Sequence, residues 1–291
     1  MAGRIIQKMA VDNIVHINEC GLPLNANDWL ERHHQSKFEE RRNMVRDLLI
    51  AEGSFVVDAG CGPGLWTHLL AEAVGVEGRI LGIDISSEAL ITAQRRTGTN
   101  AWNRPEVVYR RASLEKIPVK PGEVDLIFSA NVSQYLADPV AIFRSMRSYL
   151  RPGGRLVIKD IDFGTMRFSN VDPDLQHRVF EARARWEQER VQHDYAYEDS
   201  WVGPKLAHYL RAAGYLDVVE HTYTIVRHAP LSADFRFYLQ GIAAWFVCED
   251  APYLSKEDIA AWNSCFQSEQ HSVFDQDDFT YEETEYVVSG V

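Results

Sequence analysis

Apolar positions in the middle of the chain follow two periods in turn. Short strand-type runs occur at Phe55-Val56-Val57, Arg79 to Ile83, Glu106 to Tyr109, Val124 to Ser129 and Arg155 to Asp160. Helix-type patterns lie between them, over Leu65 to Val74, Ser86 to Arg96 and Pro139 to Leu150. Strands alternating with helices of this length predict an α/β fold whose parallel sheet is covered on both faces. Such sheets bind ligands beyond the carboxyl ends of their strands.

The flanks read differently. Residues 1–27 show weak periodicity and end in the turn-rich run Gly21-Leu22-Pro23-Leu24-Asn25. Residues 28–51 read as one helix, with Asp28 as N-cap, Glu31 three residues on, and a loose stripe of Trp29, Phe38, Val45, Leu48 and Leu49. After residue 162 the alternation breaks. Asp172 to Val191 predicts an amphipathic helix with Leu175, Val179, Ala182 and Trp186 on one stripe and Glu181 and Arg185 spaced i, i+4 on the wet side. An aromatic segment follows, with His193, Tyr195, Tyr197 and Trp201. Lys205 to Ala213 reads as a short helix closed by Gly214, and Leu216 to Val226 as a strand. Leu231 to Phe246 and Ser255 to Ser268 read as helices, and Tyr281 to Val288 as a last strand.

The most informative stretch is Val56-Val57-Asp58-Ala59-Gly60-Cys61-Gly62-Pro63-Gly64, a strand running into a glycine-rich turn and then a helix. Glycines there let the backbone approach a ligand and adopt unusual torsions. Dinucleotide loops read G-x-G-x-x-G, whereas this one reads G-x-G-x-G, with Leu65 at the position of the third glycine. Asp58 stands just before the glycines, where a pyrophosphate is disfavoured and an ammonium group is favoured. Asp84 ends the next strand, where a carboxylate can accept hydrogen bonds from both ribose hydroxyls. Together these describe a nucleoside with a cationic, phosphate-free appendage, which is S-adenosylmethionine. The plainer alternatives are a structural turn for the loop and a helix N-cap for Asp84.

These segments resemble the class I S-adenosylmethionine-dependent methyltransferases, in their small-molecule branch. Asp58 to Gly64 is similar to the first motif of that family and Ile83-Asp84-Ile85 to the second. Ala112-Ser113-Leu114-Glu115-Lys116-Ile117-Pro118 resembles the segment after the third strand. The family usually has Asp at Ser113, where it caps the adenine amino group, so this chain departs from the pattern and Leu114 is left to offer a backbone contact. Asp125 to Asn131 and Leu150 to Leu156 are similar to the fourth motif and to the turn before the fifth strand.

The resemblance covers residues 50 to 162 well and 203 to 226 and the tail more loosely. It implies a Rossmann-like, doubly wound, mostly parallel seven-stranded sheet with helical lid insertions. The expected divisions are a helical cap over 1–52, a cofactor-binding core over 53–162, a helical lid over 163–202 and a completion of the sheet over 203–291, with a helical insertion near 230–280. The implied cofactor is S-adenosylmethionine, with S-adenosylhomocysteine as product. Its expected contacts are Asp58, Gly60, Cys61, Gly62, Gly64, Asp84, Ile85, Ser113, Leu114, Ala130 and Asn131.

Methyl transfer from a sulfonium disperses charge, so alignment and exclusion of water are the main requirements. A base helps only a nucleophile that still holds its proton. His193, Asp160 and His33 are candidates for that role, beside His34 and Asp162, each with a plainer reading as a surface, satisfied or packing residue. Cys61 has no base near it in sequence and reads as packing within the loop. Tyr135, Tyr195, Tyr197 and Trp201 are candidates for the acceptor's walls, and Tyr238, Trp245 and Phe246 for core or wall.

Composition narrows the partners. The 291 residues are 46% hydrophobic and 25% charged, which excludes disorder as the main state. The longest strongly apolar stretch, Ala243 to Cys248, is far below the roughly 18 residues a membrane span needs. With 30 Lys+Arg against 42 Asp+Glu the net charge is −12, which argues against a nucleic-acid partner. The N-terminus carries Arg4 and Lys8 but no apolar core of a signal peptide, and the four cysteines show neither C-x-x-C pairing nor a metal-ligand set. The expectation is a cytoplasmic protein with free thiols, no metal, a small-molecule methyl acceptor of specialised metabolism, and room for a homo-oligomer. Three alternatives stay open: a protein or RNA methyltransferase, a cofactor-binding protein of this fold that transfers nothing, and, weakest, an NAD-dependent dehydrogenase.

Overall fold

Phe55–Ala59 forms β1, a strand buried at all five positions. Its Val56 packs into one apolar cluster and its Val57 into another, because successive strand residues face opposite sides of a sheet. The computed structural model describes residues 16–98, 105–192, 198–248, 253–267 and 272–291. The other strands are β2 (Arg79–Asp84), β3 (Glu106–Arg111), β4 (Val124–Ala130), β5 (Leu150–Phe168), β6 (Val219–His228) and β7 (Thr280–Gly290). They make one seven-stranded sheet in the order β3-β2-β1-β4-β5-β7-β6. The pairs from β3 to β5 are parallel, and β7 runs antiparallel to both β5 and β6. The order reverses between β1 and β4, which opens a crevice at their carboxyl ends.

Helices cover both faces. On one side α2 (Phe38–Asp47) and α3 (Leu65–Val74) place Met44, Val45, Leu69 and Leu70 against Val56 and Ile80. On the other, α5 (Pro139–Met146) and α7 (Leu206–Ala212) place Phe143, Met146, Leu206 and Leu210 against Val57 and Ile127. Between β2 and β3, α4 (Ser87–Thr97) starts on a Ser86 cap whose hydroxyl accepts from Ala89 N at 2.9 Å. A third cluster joins the far half of β5 to α6 (Pro173–Gln192), α8 (Ala233–Phe246) and α9 (Lys256–Gln267). No helix among the described residues is long and apolar enough to cross a membrane.

Several expectations need correction. The helix expected over 28–51 is two helices, α1 (Asn27–Ser36) and α2, separated at Lys37 with φ −127. Lys37 is fully buried among carboxylates from β7, and the break lets it reach them. The N-cap is Ala26, with Asp28 in the first turn, and Leu49 is exposed, beyond the end of α2. The fifth strand does not end near Asp160. Pairing with β7 carries it to Phe168, opposite Tyr281, so the core–lid division expected at 162 falls inside a strand. Glu181 and Arg185 do not pair with each other; Glu181 meets His177 and Arg185 meets Glu189, both at 3.3 Å. The helix from Pro139 stops at Met146 and the sixth strand starts three residues late, at Val219.

Candidate active site

A cavity of about 320 Å³ opens at the carboxyl ends of β1, β2, β4 and β5, within the range of small-molecule sites. The turn after β1 forms its floor. Gly60, Gly62 and Gly64 have φ of 79, 51 and 78, the left-handed region that glycine adopts without steric cost. At Gly60 a Cβ would stand 2.5 Å from Val132 Cγ2, so the close approach of two loops also requires glycine there.

Gly60, Cys61 and Gly62 line the cavity, with Asp84 and Ile85 at the end of β2, Ser113 and Leu114 after β3, and Ala130 and Asn131 at the end of β4. Nine of the expected cofactor contacts are thus brought together. Asp58 and Gly64 are not on the wall. Asp58 is buried beneath it, its Oδ2 accepting from Thr67 Oγ1 at 2.5 Å, and burial pushes its carboxyl up to about 7. Gly64 instead caps α3 against Tyr109 and Ala93.

Asp84 Oδ2 accepts from Gly62 N and Oδ1 from Ser86 N, each at 2.8 Å. Each oxygen keeps a second lone pair. Burial raises the Asp84 carboxyl, while the backbone N–H groups of Ser86 and Gly62 oppose the rise.

The N-terminal helices carry groups that the motifs do not mark. Arg41 lines the cavity and is 2% exposed. Its two terminal nitrogens lie 2.9 Å from His34 Nδ1 and 2.9 Å from His33 Nε2, and no carboxylate among the described residues pairs with it. A guanidinium has only hydrogens to give, so both imidazole nitrogens act as acceptors. Burial and the neighbouring cations hold His33 well below its usual range and His34 down to about 2. His33 is therefore neutral, with its Nε2 lone pair engaged by Arg41, and is not placed as a base.

Below Arg41 lies a buried ion cluster. Lys37 Nζ contacts Glu285 at 3.2 Å, Tyr238 Oη at 3.1 Å, and Glu283. Lys159 Nζ sits 3.0 Å from Glu285 and donates to Asn131 Oδ1 at 2.7 Å. Burial lowers Lys159 to about 8. Burial would raise Glu285, but Lys159, Lys37 and Arg41 override it and hold the carboxyl down to about 2.

Asp160 is fully buried and off the wall. Its oxygens accept from Ser133 N and Ile161 N, both at 3.0 Å, and burial raises it to about 6. It anchors the turn that carries Asn131 and Gln134. Asp162 lies off the wall too, accepting from Gly164 N at 2.9 Å. Tyr135 does line the cavity, donating to Pro23 O at 3.0 Å, with Asn25 Nδ2 2.7 Å from its oxygen. Tyr238 joins it, while Trp245 and Phe246 are core. Trp201 borders a separate hollow with Gly164 and Phe180. His193, Tyr195 and Tyr197 lie outside the described residues. Among the wall groups that sequence reasoning missed are Trp29, Arg41, Trp66, Gln134, Phe163 and Ile242. The one signal for Arg41 was the spacing of four in His33, Lys37 and Arg41.

Comparison with known proteins follows the same outline. The family described as "Methyltransferase domain" matches residues 50–213. Trans-aconitate 2-methyltransferase of Azoarcus sp. (strain BH72) is 35% identical over 136 residues, covering 45% of this chain and 50% of that protein. Ubiquinone biosynthesis O-methyltransferase of Methylococcus capsulatus is 30% identical over 161 residues, covering 53% of this chain and 65% of that protein. The chain spans about half the length of the first curated relatives it matches. The crystal structure of YcgJ from Bacillus subtilis shares the fold, with a TM-score of 0.54 at 12% identity over 87% of this chain and 97% of that one.

Proposed function

The chain belongs to the methyltransferase-domain family, and on that premise we propose that it transfers a methyl group from S-adenosylmethionine to an enclosed small-molecule acceptor. The observation that carries this reading is one cavity with opposite charges on its wall, Asp84 and Arg41, and the bare turn Gly60–Gly62. A nucleoside joined to an amino acid needs such a set. The free lone pairs of Asp84 suit the two ribose hydroxyls. Ser113 and Leu114 border the space for the base. Arg41, a buried cation without a carboxylate of its own, suits the amino-acid carboxylate. Asp58 holds the turn from beneath through Thr67 on α3.

The cofactor supplies a methyl group on a positively charged sulfur, which the acceptor displaces in line. The protein's part is alignment and the exclusion of water. The N-terminal segment helps to exclude water. Pro23 and Asn25 close on Tyr135, and Glu19 Oε1 accepts from Ser86 Oγ and from Glu88 N at 3.0 Å. Small-molecule acceptors are also what the names of the two relatives above indicate for those proteins.

The test is a labelling survey. Methyl-labelled S-adenosylmethionine and the purified protein are incubated separately with metabolite, protein and RNA fractions of a source-cell extract. Label in the metabolite fraction is expected. Label in protein or RNA overturns the acceptor class, and binding of the cofactor with no label in any fraction points to a role other than transfer.

A further inference from the structure

The cavity has two ends of different chemistry. Its charged wall groups are Asp84, Glu115 and Arg41, which lie at the end of β2, after β3 and on α2. Over β5 and α8 the wall is Trp29, Ile161, Phe163, Tyr238 and Ile242 with the neutral His33, which Arg41 borders at 2.9 Å. The hydroxyls there are engaged, while Trp29 Nε1 is buried with no partner among the described residues. The Tyr238 hydroxyl meets Glu283 at 2.7 Å and Lys37 at 3.1 Å, and Tyr135 is tied to Pro23 and Asn25.

Two carboxamides at this end are not engaged. Asn131 sits at φ 58 directly after β4. Lys159 Nζ, which has only hydrogens to give, faces its Oδ1, so its Nδ2 hydrogens are the free group. They meet no partner among the described residues. Gln134, 7% exposed and on the same wall, has no side-chain hydrogen bond among the described residues either. Asn131 is half-buried, and a polar group left this way beside an apolar wall is completed by water or by a ligand that offers an acceptor. Lys159 is held in turn by Glu285, so the sense of the Asn131 amide is fixed from beneath.

We propose that this end takes an uncharged, largely apolar acceptor that presents a carbonyl or hydroxyl oxygen to the Asn131 Nδ2 hydrogens, with Lys159 and Glu285 as positioning residues. The proposal rests on the cofactor reading above and adds the acceptor's chemical class. An anionic acceptor would need a second cation on the wall, because Arg41 already serves the cofactor's carboxylate.

The experiment uses the full chain loaded with S-adenosylhomocysteine and three ring probes of one size: p-cresol, toluene and p-toluate. Side-chain amide resonances are followed by ¹⁵N NMR, with the Asn131 pair identified by its loss in Asn131→Asp. The p-cresol titration is expected to move the Asn131 pair saturably, whereas toluene moves only the Trp29 indole signal. p-Toluate is expected to bind at least tenfold more weakly than p-cresol. In Lys159→Met the preference for p-cresol over toluene should fall about tenfold while toluene affinity holds, and Asn131→Ala gives the same result should that variant not fold. Equal affinity for p-cresol and toluene, tighter binding of p-toluate, or no probe moving either signal overturns the proposal. A failure of S-adenosylhomocysteine itself to bind is a different result and removes the cofactor reading beneath it.

Discussion

Replacing Arg41 with Met separates binding from stability. In the wild type the guanidinium is 2% exposed and touches two neutral imidazoles, with no carboxylate among the described residues in direct ion pair with it, Glu285 and Glu283 opposing its desolvation only at longer range. The desolvation relieved by an apolar side chain of similar length offsets the donors that His33 Nε2 and His34 Nδ1 lose, each loss costing about 1–3 kcal/mol. The guanidinium's hydrogen bonds to a bound carboxylate are charge-assisted and worth about 2–3 kcal/mol, on the order of 30- to 150-fold in affinity. Arg41→Met should therefore weaken S-adenosylhomocysteine binding by that factor while the melting temperature of the free protein moves little. The assay is calorimetry arranged as a cycle with decarboxylated S-adenosylhomocysteine. Wild type should lose the same factor when the carboxylate is removed from the ligand, and Arg41→Met should not distinguish the two ligands. Equal losses in both proteins would show that Arg41 does not read this carboxylate, and the charge assignment of the cavity would fall.

Three further outcomes are expected. Asp84→Ala should weaken S-adenosylhomocysteine by about 1–3 kcal/mol, the scale for hydrogen bonds to a charged group; unchanged affinity by calorimetry removes its ribose role. Lys37→Met leaves Glu283 and Glu285 short of a buried cation and should cost about 3–5 kcal/mol of stability in denaturant unfolding; a loss under about 1 kcal/mol, within the range of ordinary surface substitutions, contradicts the cluster's weight. Asp58, raised to about 7 from an ordinary 3.8, keeps its proton longer in the folded chain than in the unfolded one. Its contribution is fully present below the ordinary value and is lost as pH rises toward about 7, so Asp58→Asn should gain in melting temperature relative to wild type across that window. Parallel curves for the two proteins refute it.

What the sequence shows is local. The turn from Asp58 to Gly64 and the carboxylate at Asp84 lie within one strand–helix–strand unit, so their spacing is readable in a single line. The alternation that places β1 to β5 is equally local. The ion cluster is not: Lys37 and Glu285 are 248 positions apart, and a lysine inside the single helical pattern read over 28–51 reads as a wet residue until β7 is folded against it. The alternation at Tyr281, Glu283, Glu285 and Val287 does mark one face, yet two glutamates on it suggest solvent, whereas that face is the buried one. The extension of β5 to Phe168 has the same cause, since its partner strand comes from the end of the chain. Arg41 belongs to the candidate site for reasons of charge that only the packed helices create.

The central claim is tested most directly by titrating the purified protein with S-adenosylhomocysteine and, separately, with NAD in a calorimeter. The account predicts saturable one-to-one binding of S-adenosylhomocysteine, undisturbed by NAD in excess. No heat with S-adenosylhomocysteine, or displacement of it by NAD, would contradict it.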